Sequence, residues 1–320
     1  MIFLFQRVSY SVRDEECIRR IYVDTQEIMH RQKKLIALLL ILPIILLFTG
    51  LTVFPFLYMI YMSVHDYDLS KSAEWNFIGL RNYTNIFKDE LAIASVNFTA
   101  LLIFIALPIE MVLGMFIAWL FRDMVGEKII RSTTLLPMMV PPVVAGIAWK
   151  MLFNYNFGPL NYFLSLMGIE KLSWLGSEIY ARTGLIIIDV WQWAPFIFLV
   201  IYSGLMSIPN ELVDAAKVDG ANPFKVLIRV EMPILMPLIS TVLIIRMIDI
   251  LKLFDIVFMV TWGGPGHATH SFSYYIYKVG LSYGWNVGYA SALSILLLIV
   301  VIILVNILMR ILRVRELLEL

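Results

Sequence analysis

The sequence predicts an all-α integral membrane protein, a bundle of six transmembrane helices, and three observations predict it. Of 320 residues, 60% are apolar and only 15% charged, where a soluble domain carries roughly a quarter charged residues. Mean hydropathy is +0.83, and 25 basic plus 24 acidic residues are too few to cover a water-facing surface while 20 Phe, 15 Tyr and 8 Trp are hidden. The apolar runs are also long, falling at about 35–63, 93–120, 132–153, 183–208, 234–261 and 287–312, and a helix needs roughly 20 residues to cross the hydrocarbon layer. A transmembrane barrel would show alternating strands of about 10 residues instead. Only helices or closed barrels satisfy the backbone in lipid, so the runs are helices.

Composition also excludes classes of function. A net charge of +1 offers no basic field to a nucleic acid, and the single Cys17 excludes an internal disulfide framework or a cysteine-built metal site. Residues 1–34 read as a mixed-charge tail and 313–320 as a short second tail. Ile2–Phe5 is too short for a signal sequence and the run from Leu35 shows no small-residue cleavage site, so no processing is expected.

Cytoplasmic loops retain Lys and Arg, which orients the bundle. With the N-terminus inside, the inner segments hold sixteen basic residues, from Arg7 to Lys34, Arg122 to Arg131, Lys217 to Arg229 and Arg310 to Arg315. The outer segments hold six: Lys71, Arg81, Lys88, Lys171, Arg182 and Lys278. Both termini are therefore expected in the cytoplasm of a multi-pass cell-membrane protein. Trp75, Trp174, Trp262 and Trp285 fall in or beside the outer loops, as interfacial indoles do. Outer segments 64–92 and 154–182 have room for short interfacial helices. The sequence shows no phosphate-cradling loop, no His-Glu-x-x-His and no nucleophile elbow. No catalytic set is expected, and energy for any transport must come from a gradient or another chain.

The most informative stretch is the inner loop 209–233, between the fourth and fifth spans. It reads as two helices with a sharp corner. Asn210 is placed to cap a helix that begins at Glu211, and Gly220 to end it in the left-handed conformation. Asn222 and Pro223 start the next helix, and Pro233 and Pro237 bend the path into the fifth span. Ala215 and Ala216 give the first helix small residues suited to close docking of another protein. Local physics alone leaves open an ordinary surface loop.

The loop resembles the coupling signature of binding-protein-dependent ABC importer permeases, Glu-Ala-Ala, three residues, Gly, nine residues, then Ile-x-Leu-Pro. Here Asp214-Ala215-Ala216, Gly220 and Val230-Glu231-Met232-Pro233 match it at every spacing, with Asp for Glu, Val for Ile and Met for Leu. Four further segments resemble the carbohydrate, maltose-type branch of that family. They are Phe77–Tyr83, Trp191-Gln192-Trp193 with Pro195, Phe254-Asp255 followed by Thr261-Trp262-Gly263-Gly264-Pro265, and Gly288–Ala292. The likeness runs from about residue 40 to 310 and is to the first of two paired permeases, without the eight spans or large outer insertion of the maltose prototype. It implies a heterodimeric channel with a second homologous permease, two ABC ATPase subunits that bind ATP and Mg, and an extracytoplasmic binding protein delivering a sugar or oligosaccharide. This chain is then expected to bind no cofactor, with lipid around it and no nucleic-acid partner. It also implies that Glu211, Asp214, Ala215, Ala216, Asp219, Gly220, Ala221 and Pro233 couple the channel to the ATPases.

Charges at bilayer depth are costly and usually face a cavity or partner. Arg246, Asp249, Lys252 and Asp255 recur every third residue with alternating sign, a spacing that lets the ladder neutralise itself along one helix. Glu110 and Asp189 have no such neighbour, so they pair across helices, bind substrate hydroxyls or sit near water. Asp189 stands close to Trp191 and Trp193, and a carboxylate beside indoles suits a sugar's hydroxyls and C–H face. Interfacial anchoring of those indoles is the alternative. These eight residues are the substrate-pathway candidates. No metal site is expected, because His267 and His270 lack a third ligand. Pro137, Pro141 and Pro142 interrupt the third span as a hinge, as a gate or simply as tolerated prolines. The alternative function is a gradient-driven secondary transporter whose ion path is the fifth-span ladder; a capped docking helix would have no place in it.

Overall fold

The computed structural model describes residues 36, 38–70, 75–122, 127–282 and 284–312, with backbone alone over 127–130. The two tails and Lys71 lie outside the described residues. The chain divides into two compact units, Met1–Met59 and Ile60–Leu320.

The described part of the first unit belongs to helix α1, Leu38–Ser63. Apolar side chains surround it and almost all are exposed, from Ile36 through Phe48 to Leu57. An all-round apolar helix is suited to lipid or to another membrane subunit.

In the second unit, β1 (His65–Asp66) pairs antiparallel with β2 (Asn76–Phe77), opposing His65 to Phe77. The short α2 (Arg81–Ile86) follows. Buried Asn82 donates from Nδ2 to the carbonyls of Ser63 (2.9 Å) and His65 (3.0 Å), and the Tyr83 hydroxyl donates to Ser63 Oγ at 2.8 Å. The segment Phe77–Tyr83 therefore ties down the loop that follows α1.

The unit is built on α3 (Glu90–Phe121), α8 (Glu178–Leu205), α10 (Pro223–Leu251) and α13 (Val287–Ile311). Between them run α4 (Glu127–Thr134), α5 (Leu136–Met139), α6 (Pro142–Leu152), α7 (Pro159–Leu166), α9 (Asn210–Val218), α11 (Asp255–Val260) and α12 (Phe272–Tyr277). The core lies around α8, whose Leu185, Ile188, Ile197 and Phe198 are fully buried. Helices α3 and α8 approach closely because Gly114 leaves room: a Cβ there would stand 2.7 Å from the Ile197 side chain. Asp89 caps α3 by accepting from Leu91 and Ala92 amides (3.0 and 3.3 Å), while its other oxygen accepts from the hydroxyls of Tyr275 and Tyr289. One carboxylate thus joins the starts of α3, α12 and α13.

Three wide π turns share a cause. Thr49–Val53, Leu102–Ala106 and Leu227–Glu231 each end two residues before a proline, Pro55, Pro108 and Pro233. A proline ring collides with the carbonyl four residues back in a regular helix. Widening the preceding turn moves that carbonyl away, and the residue just before each proline donates to the carbonyl five back instead.

Two expected spans differ from single helices. The third, 132–153, is α4, α5 and α6, broken at Val140-Pro141, where Val140 is extended (ψ 127°). The eleven-residue α6 is too short to cross a bilayer alone. The fifth, 234–261, starts earlier at Pro223 and ends at Leu251, and α11 begins separately at Asp255. Five described helices are long and apolar enough to cross a membrane. The prolines at 137, 141 and 142 mark the first break in the sequence; the second escapes a hydropathy average because Lys252 and Asp255 are blended with the apolar residues around them.

Candidate functional site

Arg246 organises the interior of the second unit. It is 1% exposed and grips Glu110 of α3 with two hydrogen bonds, Nε to Oε2 at 2.9 Å and Nη2 to Oε1 at 3.0 Å. Its Nη2 also donates to Asp189 Oδ2 of α8 at 3.2 Å. The guanidinium carbon lies 4.7 Å from the centre of the Trp193 ring, in the range of a cation–π contact. Glu110 and Asp189 are fully buried, and Asp189 Oδ1 has no hydrogen-bond partner among the described residues. Arginine suits this place because its planar fork bonds a carboxylate through two nitrogens while a face remains for the indole.

Of the ways open to Glu110 and Asp189, the structure takes pairing across helices. The ladder keeps two of its three rungs. Arg246 faces the two carboxylates, Asp249 is a distant 4.0 Å from it, Lys252 approaches Asp249 at 3.5 Å, and Asp255 lies beyond the end of α10 on α11. The Trp193 face expected for a sugar is occupied by the guanidinium. Trp191 instead packs edge-on to Trp149 at 5.5 Å, and it is partly exposed, as are Asp249, Lys252 and Asp255.

The loop 209–233 forms a corner held by its own backbone. The structure corrects one detail, since Asn210 is the first helical residue and Pro209 stands at the cap position without a side-chain bond. Asp219 closes α9, Gly220 follows with φ +81°, and two hydrogen bonds complete the turn, Gly220 N–H to Lys217 C=O and Ala221 N–H to Ala216 C=O, both 3.0 Å. This double bond is the Schellman arrangement, for which a left-handed glycine is the usual residue. Asn222 Oδ1 then accepts from the Lys225 amide at 2.8 Å and Pro223 fills the first helical position. Val213 and Val226 are buried and fasten the corner to the core, whereas Glu211, Leu212, Asp214, Ala215, Val218, Asp219 and Gly220 are exposed. The Asp214–Lys217 pair (3.1 Å) is exposed on both sides.

Pro233 acts through the π turn it forces. That turn points Glu231, 1% exposed, at Arg122 just past α3, and the two form an ion pair. Glu231 occupies the variable position of the sequence signature, so its role left no trace there; Arg122 showed only as one basic residue among many.

The loop 261–271 is knotted by polar bonds. Thr269 Oγ1 donates to Gly264 O (2.7 Å) and lies 2.8 Å from Thr261 Oγ1, and Arg182 Nε donates to Ala268 O at 2.9 Å. Gly263 (φ +78°) cannot carry a side chain, since a Cβ would reach 2.1 Å from His270. Burial, then Lys278 and His267, push the His270 imidazole down to about 4. His267 and His270 approach at 3.5 Å, and among the described residues no group of three potential ligands forms a metal site. Gly288 explains the fourth quoted segment, because a Cβ there would meet the His65 carbonyl at 2.2 Å.

Residues 110–316 match the family described as binding-protein-dependent transport system inner membrane component. The chain belongs to this family. It is 33% identical over 85% of its length to the trehalose/maltose transport system permease protein MalF of Thermococcus litoralis, covering 91% of that protein. It is 31% identical over 88% of its length to the sulfoquinovosyl glycerol transport system permease protein SmoG of Agrobacterium fabrum, covering 92% of it. In structure it is similar to a chain of a bacterial ABC transporter that imports the acidic polysaccharide alginate, with a TM-score of 0.76 and 24% identity over 92% of this chain and 98% of that one. This protein is accordingly a multi-pass membrane component of a binding-protein-dependent transport system, a translocation subunit rather than an enzyme.

Proposed function

We propose that this permease imports a sugar or oligosaccharide, paired with a second homologous permease above two ABC ATPase subunits and below an extracytoplasmic binding protein. The observation that carries the reading is α9, an exposed helix on a rigid glycine corner whose inner side is bolted to the core by Val213 and Val226. Such a part transmits force from a docked ATPase without bending. ATP and Mg belong to those ATPase subunits, whose closure moves α9 and shifts the bundle between two access states. Both termini and α9 then lie in the cytoplasm. The sugar names of the relatives support the substrate class.

Trp191, Asp249, Lys252 and Asp255 are the exposed pathway groups, backed by the buried Arg246 cluster that fixes α3, α8 and α10 behind them. Tagging the C-terminus, solubilising gently from native membranes and identifying stoichiometric partners by mass spectrometry tests the reading. A second permease and two ATPase copies are expected, and the binding protein encoded with them is screened for its sugar. Recovery of this chain alone, with no ATPase, overturns it.

A further inference from the structure

The Arg122–Glu231 pair lies outside both the pathway cluster and the docking surface, and its construction is unusual. Glu231 is 1% exposed at the close of the π turn Leu227–Glu231, where the Met232 amide donates to Leu227 O five residues back. Pi turns inside helices frequently coincide with functional positions. Here the turn exists because Pro233 follows, and it leaves Glu231 turned toward Arg122, the residue just past the end of α3. Glu231 Oε2 is buried with no hydrogen-bond partner among the described residues, so a costly buried charge is kept for one contact.

The neighbouring connections give that contact a direction. Helix α9 is held by the Gly220 corner and by Val213 and Val226 to the first turns of α10. One turn later, Glu231 crosses to α3. Helix α3 in turn packs along α8 and carries Glu110 into the Arg246 cluster. The coupling helix, the base of α10, the end of α3 and the interior charge cluster therefore form one continuous chain of contacts, and its only ionic link between α10 and α3 on the α9 side, among the described residues, is Arg122–Glu231.

We infer that Glu231 and Arg122 are positioning residues for energy coupling, the contact through which displacement of α9 is passed from α10 to α3. The inference rests on the reading that α9 docks an ATPase. Breaking the pair leaves ATPase docking and ATP hydrolysis in place and disconnects them from translocation.

The test uses the complete complex, with partner permease, ATPases and binding protein, reconstituted in proteoliposomes, measuring solute uptake and ATP hydrolysis together. Glu231→Gln keeps the side chain's shape and removes its charge, and Arg122→Gln breaks the same contact from the other side. Uptake per ATP is expected to fall about tenfold or more in each, in the range of ordinary coupling between sites, while binding-protein-stimulated hydrolysis stays within twofold. The exchange Arg122→Glu with Glu231→Arg restores uptake per ATP. An unchanged ratio in whichever single variant assembles overturns the inference, as does an exchange that restores assembly but not the ratio. Loss of assembly in all three makes the pair a structural brace and overturns it equally. The docking reading is judged separately by a photo-crosslinker attached through Val218→Cys in a Cys17→Ser chain, because Val218 is 87% exposed on α9. No crosslink to the ATPase defeats that reading, whatever the Glu231 result.

Discussion

The Arg246 cluster and the corner at 209–233 handle the same difficulty, polar groups in an apolar molecule, by opposite means. In the cluster, charge is satisfied by charge across three helices: Arg246 on α10, Glu110 on α3 and Asp189 on α8. At the corner that ends α9, the turn is closed by groups three to five positions away, through Gly220, Ala221 and the Asn222 cap. The first arrangement exists only in the assembled bundle and collapses if one member is removed. The second is written into a short stretch of chain and tolerates change in small steps.

The largest expected effect therefore lies in the cluster. Arg246→Ala leaves two buried carboxylates unpaired, and breaking a buried pair this way costs about 3–5 kcal/mol. Thermal unfolding of the purified complex is expected to show severe destabilisation or no assembled protein. Replacing the three together, Arg246→Met with Glu110→Gln and Asp189→Asn, is expected to regain much of the stability; if the single variant proves as stable as the natural protein, the cluster is not what holds the helices. A related effect is expected at buried His270 in the loop 261–271. Its imidazole stands at about 4 against an ordinary 6.5, so the folded loop favours the neutral ring. That preference is fully present above about pH 6.5 and fades as pH falls toward 4, a difference of about 3 kcal/mol in the limit. The protection factors of 261–271, exchange rates referred to the intrinsic rate at each pH, are expected to fall on acidification across that window, and His270→Gln to flatten the response.

The contrast also explains what the sequence made legible. The corner could be read from residues 210–233 because glycine, asparagine and proline fix backbone geometry within a few positions. The long helices were equally legible, since hydropathy is a sum over local composition. The charge cluster was half legible: Glu110 and Asp189 had to find partners on other helices, but no spacing within one span identifies Arg246 as the partner of both. The even repeat Arg246, Asp249, Lys252, Asp255 pointed toward pairing along one helix, and Asp249 does meet both Arg246 (4.0 Å) and Lys252 (3.5 Å); only Asp255 drops out, because α10 ends at Leu251. The break at Val140-Pro141 was marked by its prolines, whereas the one after Leu251 was hidden because a hydropathy average blends Lys252 and Asp255 with their apolar neighbours. Glu231 was hidden for another reason, because a π turn rotates the register on which a helical reading depends.

At the corner the effects are smaller and graded. Gly220→Ala places a side chain at φ +81° with nothing within 4 Å to clash, so its cost is the left-handed backbone alone, about 1–2 kcal/mol. Gly220→Pro cannot adopt that φ at all, and it is expected to abolish solute-stimulated ATP hydrolysis while leaving membrane insertion intact. Full stimulation in that variant would remove the corner from the coupling path. Asn222→Ala deletes the cap on Lys225 and is expected to cost about 1 kcal/mol, read as a small loss of thermal stability.

The smallest effect tests whether the acidic residue of the signature is structural. Among the described residues Asp214 pairs only with Lys217, three residues on, and both are exposed. Such pairs are worth about 0–1 kcal/mol and are screened by salt. Asp214→Asn is therefore expected to leave the melting temperature of the isolated permease pair nearly unchanged at any ionic strength. Its place on the exposed side of α9 makes it available to another protein instead, so the same variant should weaken retention of the ATPase during purification, and more so at low salt. A variant that destabilises the permease itself, with ATPase retention unaltered, would assign Asp214 to the fold and erase the distinction between a self-satisfied corner and the surface it presents.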